Sequence, residues 1–148
     1  MAERRDKRTF ATVAVHSRAR SQGELEAIVS LTPDAAWQLG AVRKGSRSEN
    51  RHKQSGLRFE SRCDEFAPPE DHIDDLLTRL APARQQLRAF AEQAREVDPG
   101  TVAVQLRVVL ESVKRELGFS VKSEQLRAIS ELGAEFLGVE VAFVDGEL

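Results

Sequence analysis

The sequence predicts an α+β domain: a two-layer sandwich in which a roughly four-stranded, mainly antiparallel sheet carries helices on one face. Three observations predict it. The apolar period switches repeatedly between two and about 3.6, giving the order β-α-β-α-β-α-β. The strand segments alternate apolar and polar residues, as a sheet with one solvated face requires, whereas buried parallel strands read as continuous apolar runs. Finally, 148 residues with 41% hydrophobic and 31% charged side chains are enough for one domain over residues 1–148. A chain of that length buries roughly 68–70% of its unfolded surface. A ferredoxin-like arrangement, or one related to it, is the nearest named architecture.

The first strand is expected over Thr9–Ser17, where Phe10, Thr12, Ala14 and His16 alternate with Ala11, Val13 and Val15. Ser21 is placed to cap the next helix, with Glu24 at capping-box spacing. That helix carries Leu25, Ile28 and Val29, and Thr32-Pro33 stops it, because a residue before proline avoids the α region. A second strand is read over Gly56–Cys63, with Leu57, Phe59 and Ser61 on one side.

Pro68-Pro69 opens a long helix, with Pro69 at N1, where a missing N–H costs little. Glu70 and Asp71 fall in its first turn, where the dipole favours acids. Its stripe of Ile73, Leu76, Leu77, Leu80, Leu87, Phe90, Ala91 and Ala94 stays in phase across Pro82. A kink or two abutting helices is therefore expected there, not a long loop. Asp98-Pro99-Gly100 is a turn. The third strand runs from Thr101 to about Lys114, with Val102, Val104, Leu106, Val108 and Leu110 on one face, and Leu117-Gly118-Phe119 continues or bends it. A short helix starts at Ser123 and ends at Gly133 in a C′ position. The last strand, Glu135–Val144, carries Phe136, Val139, Val141 and Phe143.

Composition excludes several classes. No apolar run approaches the roughly 18 residues of a membrane span, and the first ten residues lack the apolar stretch of a secretory signal. The single Cys63 has no internal disulfide partner, which fits a reducing cytoplasm. Net charge is −2 but segregated. Residues 1–20 hold six Lys/Arg against two acids, and residues 43–53 hold five against one. Residues 60–75 hold seven acids against Arg62, and residues 131–148 hold five acids and no base. Such patches order neighbouring segments or steer a charged partner, but a near-neutral total argues against general nucleic-acid binding.

No phosphate-cradling or nucleophile-elbow motif occurs. His16, His52 and His72 make no pair at metal-ligand spacing. Cys63 lies beside Asp64 and Glu65, whose charges disfavour a thiolate. Glu70, Asp71, Asp74 and Asp75 lack the alternation and glycine of a calcium loop. No cofactor or metal is expected. The segment that reads most like a partner surface is the basic loop, mobile over 43–55, with Arg43, Lys44, Arg47, Arg51 and Lys53 suited to phosphate or an acidic protein surface. Trp37 is the anchor candidate beside it, against the plainer reading that a lone tryptophan fills the core beneath the crossover.

The chain resembles a bacterial family catalogued as domain of unknown function 4279. The opening strand TFATVAV carries the resemblance, with the LTPDAAWQLG segment and the basic loop running into SGLRFES. DHIDDLLTRLAP and the tail GFSVKSEQLRAISELGAEFLGVEV complete it. It covers nearly the whole chain and implies a compact α+β domain without supplying an activity.

The resulting expectation is a non-enzymatic protein-binding or accessory module, of the immunity type that masks another protein. One alternative is a small hydrolase or transferase using His72, Cys63 and Asp64. Another is weak nucleic-acid binding by the basic loop. A homodimer through an exposed strand edge or the long third strand is also compatible with the pattern.

Overall fold

Alternating inward residues on one central strand organise the molecule. The computed structural model describes residues 6–45, 50–114, 119–134, 136–146 and 148. The elements are β1 (Lys7–Ser17), α1 (Gln22–Val29), β2 (Ala35–Trp37), β3 (Ser55–Glu60), α2 (Pro69–Leu80), α3 (Arg84–Val97), β4 (Val104–Ser112), α4 (Ser123–Glu131) and β5 (Phe136–Phe143). The sheet order is β2-β3-β1-β4-β5. β1 lies between β3 and β4, antiparallel to both, with Val15 opposite Leu57 and Val13 opposite Leu106. β2 is antiparallel to β3. The first four strands thus interleave two split β-α-β units, the ferredoxin-like pattern.

The sheet corrects the expectation of four mainly antiparallel strands: among the described residues it has five and is mixed. β2 was not foreseen as a strand, because three residues are too few to show a period. β5 runs parallel to β4, with Leu106 opposite Leu137, because α4 carries the chain back across the helix layer before it re-enters the sheet.

Local chemistry sets the helices. The Ser21 hydroxyl accepts from the Glu24 N–H at 3.1 Å, and the Glu24 carboxylate accepts from the Ser21 N–H at 3.3 Å. Pro82 falls in a single 3₁₀ turn, Ala81–Ala83, so α2 and α3 abut instead of forming one rod. Ser123 opens α4 as its first helical residue; the Gln125 side chain accepts from the Lys122 N–H at 3.0 Å. Gly133 takes φ +81°, which ends α4 as a left-handed C′ residue does.

One core joins the layers. Ala11, Val13 and Val15 of β1, Leu57 and Phe59 of β3, and Val104, Leu106, Val108 and Leu110 of β4 face the helices. Leu25, Ile73, Leu76, Leu80, Leu87 and Ile129 meet them from the four helices, all buried. Each such side chain contributes about 1.5–3 kcal/mol. Phe10, Thr12, Ala14 and His16 lie on the other, open face. Val139, Val141 and Phe143 of β5 stay exposed although their register places them on the helix side of the sheet. Part of the charge segregation resolves into pairs: Arg8 meets Glu111 and Glu65, and Lys114 meets Asp6. Among the described residues, no helix is long and apolar enough to cross a membrane.

Candidate functional site: the open end of the sheet

β1 and β2 end, and β3 and β4 begin, at the same end of the sheet. Trp37 is there, on the open face, so it does not fill the core beneath the crossover. Its partner across the ladder is Gly56, which in turn pairs with His16 of β1. The indole occupies the space a side chain at position 56 would take: a Cβ on Gly56 would stand 2.2 Å from Cζ2 of Trp37. His16 flanks the indole at 5.8 Å between ring centroids, tilted by 51°. His52 stacks on it at 5.6 Å and 25°. Burial holds His16 below the ordinary histidine pKa, which favours the neutral ring at pH 7, and its Nδ1 is buried without a hydrogen-bond partner among the described residues. Trp37 is only half-buried, leaving part of the indole at the surface.

The basic segment grows from this cluster as a paired ribbon. The Gly40 N–H donates to the His52 carbonyl and the His52 N–H to the Ala41 carbonyl. Val42 bridges Arg51, and the Arg43 N–H donates to the Asn50 carbonyl at 2.8 Å. Arg51 donates to the Gly40 carbonyl, which turns its guanidinium back along the ribbon. Gly40 at φ +84° makes the entry turn. Arg43, Lys44 and Lys53 are exposed and form no salt bridge with a described residue. Arg47 lies outside the described residues, as do residues 46, 48 and 49.

On the other side of His16 is a cleft of about 600 Å³. The turn after β1 lines it with Arg18 and Arg20. The C-terminal part of α3, including Phe90 and Val97, contributes to the lining as well, as do Gln54 and Gln105. Neither the arginines nor the cleft was read from the sequence. The helix stripe carried Phe90 and Ala94 as core, and nothing local signals that the end of a helix stands away from a strand terminus.

The alternative catalytic group assembles only in part. Ser61 Oγ and His72 Nδ1 are 2.6 Å apart, and the same hydroxyl accepts from the Ala11 N–H at 3.3 Å. His72 is buried, and its Nε2 lacks a hydrogen-bond partner of good geometry. Burial lowers its pKa, opposed by the Asp64 carbonyl and the charges of Asp75, Asp71 and Asp64. The folded pKa thus favours the neutral ring, and Nδ1 shares one hydrogen bond with the Ser61 hydroxyl in the sense its tautomer sets. Cys63 donates to the Asp71 carbonyl at 3.4 Å and makes no hydrogen bond to His72. Its thiol pKa is raised by burial and then by Asp75, Asp71 and Asp74. These acids come from α2, not from the sequence neighbours Asp64 and Glu65. Ser61 was missed as a partner of His72 because the pairing joins a strand end to a helix eleven residues on. Among the described residues, no group of three or more His, Cys, Asp or Glu side chains could hold a metal ion.

The fold and this open end define an α+β domain with a split β-α-β sheet and an aromatic cluster at the root of a basic ribbon. The family model described as a domain of unknown function (DUF4279) matches residues 7–138, and the chain belongs to that family. Neither a curated protein nor a solved structure matches it.

Proposed function

We propose that the chain is a non-enzymatic protein-binding or accessory module that presents the Trp37–His52 stack and the basic ribbon to an acidic surface of another protein. One observation supports this most: exposed cations at Arg43, Lys44 and Lys53, with no carboxylate paired to them among the described residues, stand beside a half-buried tryptophan. Buried tryptophans anchor interfaces, and unpaired rim charges steer association. An immunity-type role, masking another protein in a reducing cytoplasm, is the biological form of the reading.

The hydrolase or transferase alternative draws less support, because His72 is spent on fastening β3 to α2 and Cys63 is held as a thiol. Single-stranded nucleic-acid binding by the ribbon draws less support, because its sequence holds no stacking residue beyond His52, which stands at its base. The unpaired outer edge of β5, with Val139, Val141 and Phe143 exposed, is where a second copy would pair.

The test uses wild type and an Arg43→Glu/Lys44→Glu/Lys53→Glu variant as bait in cells that make the protein. A protein recovered only with wild type, whose binding changes Trp37 emission in a purified titration, is the expected result. Identical recovered sets would end the reading.

A further inference from the structure

We propose that the cleft between the turn after β1 and the end of α3 binds a small organic anion with an apolar body, its anionic head on Arg18. The volume of about 600 Å³ suits such a molecule, since ligand clefts span roughly 300–1,000 Å³. The lining combines two chemistries. Phe90, Ala94 and Val97 give an apolar wall, running from the nearly buried Phe90 ring to Val97, which is 83% exposed. Arg18 and Arg20 line the same cleft. Arg20 is already paired with Glu24, whereas Arg18 has no carboxylate partner among the described residues. The one acid lining the cleft, Asp98, directs Oδ1 to the Gly100 N–H at 3.1 Å. A guanidinium without a carboxylate partner, lining the same cleft as an apolar wall, selects a carboxylate or sulfonate carried on a hydrocarbon body, because the fork of donors fits a planar or tetrahedral oxyanion. A neutral ligand would leave Arg18 unused, and a bare inorganic anion would leave Val97 exposed.

The probe is 8-anilinonaphthalene-1-sulfonate, an apolar body with one anionic head. Trp37 is the only tryptophan, and its indole packs on His16, which lines the cleft. Probe bound there therefore takes excitation energy from Trp37, which reports binding, and the Arg18 and Val97 variants report position. Saturable one-to-one binding with loss of Trp37 emission is expected. Arg18→Glu and Val97→Glu, both at exposed positions, should each weaken it at least tenfold, and Arg18→Lys should retain most of it. Decanoate should displace the probe, and decanol should not. Arg43→Glu/Lys44→Glu should leave probe binding unchanged, which separates this site from the ribbon surface. No saturable binding, binding indifferent to Arg18→Glu, or equal displacement by decanol would each overturn the proposal.

Discussion

Trp37 and Gly56 are a ladder pair in which one residue supplies the ring and the other the room for it. The absent Cβ at Gly56 would fall 2.2 Å from Cζ2 of Trp37. Glycine is required here by a side chain, since no positive φ is involved. Gly56→Ala should therefore push the indole off the sheet and cost about 1–3 kcal/mol, as overpacking usually does. The sole tryptophan reports it: emission should shift to longer wavelength together with a lower denaturant midpoint. Unchanged emission would contradict the described seat.

Ser61→Ala tests the link between β3 and α2. It removes the hydroxyl shared by the Ala11 N–H and His72 Nδ1 and leaves a buried nitrogen unpaired, for about 1–3 kcal/mol. The check is the urea midpoint of the variant against wild type at neutral pH.

His72 and His16 both have folded pKa values below the ordinary 6.5. The folded state then favours the neutral rings. That stabilisation is fully present above pH 6.5 and is lost as pH falls through and below that value, because the unfolded chain takes up the protons more readily. The urea midpoint should fall on acidification in this window, and His72→Gln should make the slope shallower. An unchanged slope would remove His72 from the account.

Arg79 should matter more than any exposed ion pair. Its guanidinium donates to Asp34, to the Glu60 carbonyl at 3.0 Å and to the Thr32 carbonyl at 3.1 Å, and it lies over the Phe59 ring. Burial opposes the charged form of Asp34, but the Arg79 and Glu60 N–H bonds and the arginine charges outweigh it and hold the carboxyl below its usual value. Arg79→Ala should cost about 2–3 kcal/mol. Arg88→Ala, which loses only a surface pair with Glu92, should stay within about 0.5 kcal/mol. Thermal unfolding of the two variants side by side decides it.

Cys63 should alkylate slowly at neutral pH. Burial and the α2 carboxylates keep it a thiol, and only the thiolate attacks. Asp71→Asn/Asp75→Asn should speed reaction with iodoacetamide several-fold. Equal rates would show that the carboxylates do not control the thiol.

Much of the frame was legible because it is periodic. The alternation from Val104 to Leu110 became β4, and the stripe from Ile73 to Ala94 survived Pro82 as two abutting helices. The Ser21–Glu24 box formed as spaced. What stayed hidden depends on distant residues meeting. β2 is a strand only because β3 passes beside it, and β5 is parallel only because of where α4 delivers the chain. At the site, Trp37 and the ribbon were legible as composition. Their setting was not, since His16, Trp37, His52 and Gly56 come from separate segments, and the cleft belongs to the end of a helix whose inner face reads as core.

The central position of β1 has a consequence for how the chain acquires its structure. β1 leaves the ribosome before both strands that flank it, and Arg8 waits for Glu111, 103 residues later, to complete its ion pair. Ala11, Val13 and Val15 have no sheet to join until β3 appears, and only half of one until β4 does. Closure is thus a late, long-range event, and such events are slow relative to local pairing. A nascent chain halted in α3 would leave the edge of β1 that β4 later takes without a partner, an open strand edge that invites pairing with another chain during synthesis.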